Sequence, residues 1–432
     1  MQFYSLNHRS SKVNFREAVI RGIAPDKGLY FPEKIEALEA DFFKNIDQFS
    51  RHDIAFQMIR QFAGDTIPET ELRVIVEDTL NFDFPLVEIE KNVFSLELFH
   101  GPTMAFKDVG GRFMARCLSY FNRDSDEEVT VLVATSGDTG GAVASGFLGV
   151  KGVRVVILYP SGKVSEVQEK QLTTMGQNIG ALEVEGTFDD CQAMVKQAFL
   201  DSQITDKVQL TSANSINVAR WLPQMFYFVF AYQQLDDHSK KLVFSIPSGN
   251  FGNICAGIMA QQLGLPVSRF IASTNANRVV PNFMLDGRYE PMKSVATISN
   301  AMDVGDPSNF IRIREIYGQD FNKIKENLVS FSFSDEQTRV AMRKVFDETG
   351  YVMDPHGAIG YLGLMKYLES HKDVQGIFLE TAHPVKFLEV VEPVIEKAID
   401  LPVQIQQVMG RSKKASFISN YEQLKTFLLG VQ

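Results

Sequence analysis

Lys107 stands in the run Leu96-Glu-Leu-Phe-His-Gly-Pro-Thr-Met-Ala-Phe-Lys-Asp108, just ahead of a predicted helix. Far downstream, Pro247-Ser-Gly-Asn-Phe-Gly-Asn253 makes a glycine-rich turn between a predicted strand and a helix. An amine and a cradle of backbone N–H groups are what a Schiff-base enzyme needs to hold pyridoxal phosphate, one for the aldehyde and one for the phosphate. Phe106 beside the lysine would lower its pKa and free the amine as a nucleophile. Gly110 and Gly111 follow where a helix prefers alanine, which would let a flat ring lie close to the backbone. The plainer alternative is a solvated surface lysine.

The turn around Ser248, Gly249, Asn250, Phe251, Gly252 and Asn253 aims backbone N–H groups and a helix dipole at one point, a setting that suits a phosphate. Glycines at 249 and 252 remove the Cβ atoms that would block close approach. A tight strand–helix turn without a ligand is the alternative. A second loop, Thr135-Ser-Gly-Asp-Thr-Gly-Gly141, has the same setting, and Ser136, Asp138 and Thr139 can hold a substrate carboxylate there. Taken alone, Asp138 reads more simply as an ordinary acid at a helix start. Lys163, Asn214, Ser215 and Arg220 form a third candidate set, able to bind a phosphate on the substrate. A surface lysine and a capping asparagine account for the same residues more simply. His100, His356 and His383 are candidate acid–base groups, though a satisfied structural histidine is the simpler reading of each.

These residues need a frame. From about residue 95, apolar runs at 129–134, 153–159, 181–184, 242–246, 269–273 and 377–380 alternate with helical stretches such as 191–199 and 254–263. Strands that are apolar throughout and separated by helices predict parallel sheets buried on both faces. The expected fold is α/β, with two doubly wound lobes and a cleft between them. The division is 1–95 for a mixed N-terminal domain, 96–240 for the lobe with the lysine, and 241–432 for the lobe with the phosphate turn. Helical periodicity in the first part falls at 15–19, 54–62 and 72–80. The stretch 275–309 reads as irregular, a loop placed to close over a substrate.

Bulk properties narrow the classes. A chain of 432 residues, 45% hydrophobic and 22% charged, is an ordinary multi-domain globular protein. A net charge of -10 argues against nucleic acid or an anionic membrane surface as partner. Three cysteines without close spacing read as buried thiols in a reducing compartment. The seven histidines show no ligand-like spacing, so no metal is expected. No secretion signal opens the chain, and its most apolar stretch, 221–232, is too short to span a bilayer. A cytoplasmic protein, monomer or homodimer, is the expectation.

Taken together, the motifs resemble the threonine synthase family, of the tryptophan synthase β-like, fold type II group. The resemblance rests on Gly28-Leu-Tyr-Phe-Pro32, the Lys107 run, the 135–141 loop, Ser161-Gly-Lys163, Gly186-Thr-Phe-Asp-Asp190, Asn214-Ser-Ile-Asn217, the 248–253 turn, the segment 294–305 and Glu380-Thr-Ala-His-Pro-Val-Lys386. They occur in the family's order over nearly the whole chain. One departure is Lys27, where many members carry a second glycine. The resemblance implies pyridoxal 5'-phosphate bound to Lys107, its phosphate among Gly249, Asn250, Phe251, Gly252 and Asn253, and Thr381 at the pyridine nitrogen. It implies that the 136–139 loop takes the substrate α-carboxylate. The activity implied is conversion of O-phospho-L-homoserine and water to L-threonine and phosphate. Two alternatives stay open: a phospho-lyase giving 2-oxobutyrate, and a non-catalytic binding protein of the same fold.

Overall fold

A strand that is apolar on both faces has to be covered on both faces, and this chain solves that problem twice. The computed structural model describes residues 1–125 and 127–430, so the last two positions of the 241–432 segment lie outside it. In chain order the strands are β1 (Phe3–Ser5), β2 (Tyr30–Pro32), β3 (Leu86–Glu90), β4 (Val93–Glu97), β5 (Val129–Ala134), β6 (Val153–Pro160), β7 (Ile179–Val184), β8 (Gln209–Ser212), β9 (Lys241–Pro247), β10 (Val267–Thr274), β11 (Leu328–Ser332), β12 (Val374–Glu380) and β13 (Ser416–Ile418). The larger sheet has the order β11-β10-β9-β12-β4-β3 and is parallel except for β3. The smaller, β13-β7-β6-β5-β8, is parallel throughout. Every residue of β5 and of β12 is buried, as a sheet covered on both sides requires.

Sheet membership does not follow the contiguous division at 95 and 240. β3 and β4 belong to the larger sheet, because β4 pairs with β12 from Val93 to Glu97. β13 returns to the smaller sheet and pairs with β7. Lys413 ties this returning segment down by bonding Glu169 (2.6 Å) and Glu183 (2.7 Å). The chain thus enters the larger sheet at 86–97 before building the smaller one, and returns to the smaller at 416–418.

The N-terminal portion is mixed, as its periodicity predicts: β1 and β2 pair antiparallel with the helix Phe15–Arg21 between them in sequence, and helices Arg51–Ala63 and Glu69–Thr79 follow. Lys27 has φ 67°, a left-handed backbone that favours glycine. The apolar stretch near Trp221 becomes the helix Met225–Gln233, buried from Met225 to Tyr232. Being apolar all round, it has no solvent face and sits between the N-terminal helices and the larger sheet. Phe228 packs on Phe244 (5.0 Å) and Phe270 (6.0 Å), while Phe230 packs on Phe84 (5.5 Å).

The 275–309 stretch is less irregular than its composition suggests. It contains the helix Val279–Asp286 and the short turn Asn300–Met302. Its polar residues are spent internally: Asp303 accepts from Thr297 (2.7 Å), Asn275 (2.9 Å) and Asn277 (3.2 Å). Among the described residues no helix is long and apolar enough to cross a membrane.

Candidate active site

Lys107 is the first residue of the helix Lys107–Phe121. Asp108 fixes that start by accepting from the Thr103 N–H (2.9 Å), and Phe106 N–H bonds the Thr381 carbonyl (2.9 Å). The lysine therefore sits on a joint between the two lobes. Its ammonium lies 5.4 Å from the Phe106 ring. Burial pushes its pKa down to about 8; Asp138 opposes the shift, and Lys386 and Arg220 add to it. The expected direction is present, with burial as its main cause.

Gly110 and Gly111 have another job than the one expected of them. A Cβ on Gly110 would lie 2.4 Å from the Arg220 carbonyl oxygen, and one on Gly111 2.8 Å from that of Ala142. They admit neighbouring backbone, so the close approach is made by protein and not by a ring.

An inner cavity of about 100 Å³ gathers most of the predicted site. Lys107, Ser136, Thr139, Asn214, Ser215, Arg220, Gly249, Asn250, Phe251, Gly252, Asn253 and Thr381 all line it. The 248–253 turn leads into the helix Gly252–Gln262 through Phe251, which is left-handed at φ 62°. A Cβ on Gly249 would fall 2.8 Å from the Met302 Cα. The Asn250 amide oxygen is partly spent on the Ser308 hydroxyl (3.1 Å). Asn253 is buried with neither its amide nitrogen nor its amide oxygen bonded within the protein. A buried carboxamide left open in this way calls for a polar ligand. A helix N-terminus, a glycine without room for a side chain and an open carboxamide together fit the phosphate of pyridoxal phosphate.

Asp138 is the exception in the neighbouring loop. Ser136 and Thr139 face the inner cavity, while Asp138 turns away to accept from Lys386 (2.6 Å) and Gln168 (3.0 Å). Burial would raise its pKa, but Lys386 and then Lys107 override that and hold the carboxyl well below the usual range. Asp138 is thus neither a lining residue nor a helix cap; it is the buried counterion of Lys386. Lys386 also donates to the Thr103 carbonyl (2.9 Å).

Lys163 and Arg220 do not meet. Arg220 is buried, its guanidinium bonds the Ala213 carbonyl, and its Nε has no partner. Burial pushes its pKa down to about 10. Lys163 is exposed and lines a second, outer cavity of about 830 Å³. Ser136, Phe188, Asn300 and Asp303 line both cavities. The single phosphate site expected of Lys163, Asn214, Ser215 and Arg220 is therefore divided, with the exposed cation outside and the buried one inside.

The histidines follow the simpler expectation. His100 is exposed and bonds Glu97 (2.7 Å). His383 accepts from the Val385 N–H (3.1 Å) as a cap, and burial lowers its pKa to about 4. His356 bonds on both ring nitrogens, yet it also lines the inner cavity. Sequence reasoning passed over Lys386, Asn300, Asp303 and Gln224. Lys386 was visible only as the last residue of the 380–386 run, and nothing local marked it as a partner of Asp138.

Comparison with known proteins agrees with this geometry. Residues 2–80 match a model described as the threonine synthase N terminus, 83–377 one for pyridoxal-phosphate dependent enzymes, and 357–428 one for the threonine synthase C-terminal region. A threonine synthase from Serratia marcescens is 43% identical, with 100% of each chain covered. The chain belongs to the threonine synthase family of pyridoxal-phosphate-dependent enzymes. A crystal structure of the Escherichia coli threonine synthase superposes with a TM-score of 0.94 at 41% identity, covering 100% of both chains. A threonine synthase from Brucella melitensis with pyridoxal phosphate bound gives a TM-score of 0.93 at 32% identity, covering 99% of this chain and 98% of that one.

Proposed function

We infer that this enzyme converts O-phospho-L-homoserine and water to L-threonine and inorganic phosphate. The observation that carries the reading is the pairing, in one inner cavity, of a lysine held near pKa 8 with a phosphate cradle whose Asn253 amide has no protein partner. When bound, pyridoxal phosphate supplies an electron sink that acidifies the substrate's Cα–H and Cβ–H. Gly249, Asn250, Phe251, Gly252 and Asn253 would hold its phosphate, and Thr381 would supply a hydroxyl to its ring nitrogen.

The residues of the chain do the rest. Ser136 and Thr139 orient the substrate carboxylate from the helix N-terminus at 138. Lys107 takes protons from Cα and Cβ and returns them at Cα and Cγ, and a group held near neutrality can do both. Phosphate leaves Cγ, which gains the proton lost from Cβ and ends as a methyl group; water gives its hydroxide to Cβ and its remaining proton to the departing phosphate. Arg220, Asn214 and Ser215 lie where the leaving phosphate is released. Lys163, in the outer cavity, attracts the phosphorylated substrate before it reaches them. With a net charge of -10 and three buried free cysteines, we place the enzyme in the cytoplasm, working without nucleic acid.

Incubation of the purified protein with O-phospho-L-homoserine tests the reading. Threonine is expected in step with phosphate. Phosphate accompanied by 2-oxobutyrate would reject water addition, and absence of phosphate from cofactor-loaded protein would reject the reaction.

A further inference from the structure

Behind the inner cavity, a relay of side chains begins at a buried acid and ends on the segment 299–304. Glu380, at the end of β12, is fully buried; burial and then Asp354 push its pKa well above the carboxylate range. Its Oε2 accepts from the Asp354 N–H (3.3 Å). Gly357 makes room for it, since a Cβ there would fall 2.0 Å from Glu380 Oε1. Asp354 caps the helix Pro355–Leu368 and faces His356 Nδ1 at 2.6 Å. His356 Nε2 accepts from the Ala301 N–H (3.2 Å).

This order fixes the imidazole. Nδ1 faces a carboxylate and therefore carries the proton, while Nε2 faces an N–H and therefore offers a lone pair. Both nitrogens of His356 are occupied, so it is no proton donor in the reaction. What it holds matters more. Asn300 and Asp303 form wall common to the inner and outer cavities, and between them Ala301 and Met302 rest on Gly249 with no space for a side chain. The Asp303 end of this strap is secured by Thr297, Asn275 and Asn277. At the other end, the Ala301 N–H is held by His356.

We propose that His356 is a positioning residue: by accepting from the Ala301 N–H it latches the 299–304 strap that separates the outer cavity from the inner one. The charged and titratable groups around the ring are Asp354 on its own helix, Glu380 on β12 and Asp303 on the strap, with His383 beyond Asp354 on the turn after β12. The Phe387 ring packs 4.9 Å from the imidazole.

Hydrogen–deuterium exchange of the apo full-length chain, corrected for intrinsic rate, reads the latch directly. In the wild type the 299–304 segment is expected to be protected. His356→Leu, which offers no acceptor, should lower that protection at least tenfold. His356→Gln, whose amide oxygen can accept from Ala301, should restore most of it. Equal protection in wild type and His356→Leu overturns the proposal, as does a strap in His356→Gln as unprotected as in His356→Leu. The exchange experiment does not depend on the reaction proposed above: a strap that behaves as expected in a protein making no threonine would reject that reaction and keep the latch.

Discussion

The loops 135–141 and 248–253 both run from a buried parallel strand into a helix N-terminus, yet their polar groups are spent in opposite ways. In the first, the Thr135 hydroxyl accepts from the N–H groups of Gly137 (2.9 Å) and Gly140 (2.8 Å), so part of the nest is closed by the chain itself. Its acid, Asp138, is committed to Lys386. What remains for a ligand is a pair of hydroxyls, Ser136 and Thr139, which water can serve equally well. In the second loop, Asn253 is buried and open, and Gly249 is pressed against the strap. A site that is costly to leave empty suits a resident cofactor; a site that water satisfies suits a substrate that comes and goes.

The largest expected effect comes from the residue both loops serve. Lys107→Ala should lower threonine formation by at least about 10²–10⁴-fold, the range that general acid–base transfer alone supplies. Turnover with the folded variant checks this. Activity within tenfold of wild type would mean that neither loop is organised around this amine.

Next is the Asp138–Lys386 pair, which separates the first loop from an ordinary helix start. Asp138→Asn leaves Lys386, which is 1% exposed, without its carboxylate, and breaking such a pair costs about 3–5 kcal/mol. The double variant Asp138→Asn, Lys386→Met should recover part of that loss in urea denaturation. An Asp138→Asn protein as stable as wild type would return this acid to the helix-start role that the sequence left open.

The comparison itself is sharpened by crossing one substitution in each loop. Gly249→Ala forces a Cβ to 2.8 Å from Met302, an overpacking of about 1–3 kcal/mol. Cofactor affinity should drop roughly 5- to 150-fold, as read by equilibrium dialysis. Ser136→Ala should raise KM for the substrate and leave cofactor retention unchanged. The reverse pattern would exchange the assignments of the two loops.

Much of this was legible because it is local. The runs 129–134 and 377–380 are apolar enough to announce buried strands, and the 248–253 turn carries its own glycines and its own helix. Lys107 was legible for the same reason, through Phe106 next to it. Long-range contacts were not. Nothing in the sequence near Ser416–Ile418 says that this strand returns to pair with β7, since three residues of moderate polarity carry no address. Gly110 and Gly111 signal close approach without naming what approaches, and here it is backbone. His356 reads as a satisfied histidine, and it is one. Only the fold shows that one of the groups satisfying it, the Ala301 N–H, belongs to a cavity wall.

The smallest effect lies in the titration of Lys107, and it tests whether the first loop's buried acid is felt across the cavity. The neutral amine is the nucleophile and exists above its pKa, so capture of pyridoxal phosphate by the apo chain, followed by absorbance, should quicken as pH rises through about 8 and then level off. Asp138 stabilises the charged amine, whereas Lys386 and Arg220 oppose it. Removing the acid charge in Asp138→Asn therefore takes away the one influence that raises the pKa, and the inflection should move to lower pH, by up to about one unit, equivalent to 1.36 kcal/mol. Work below the variant's denaturation threshold keeps this measurement separate from its loss of stability. An inflection that stays put or moves upward would mean that Lys386 and its surroundings screen Asp138 from the amine, and that the acid serves the loop's structure alone.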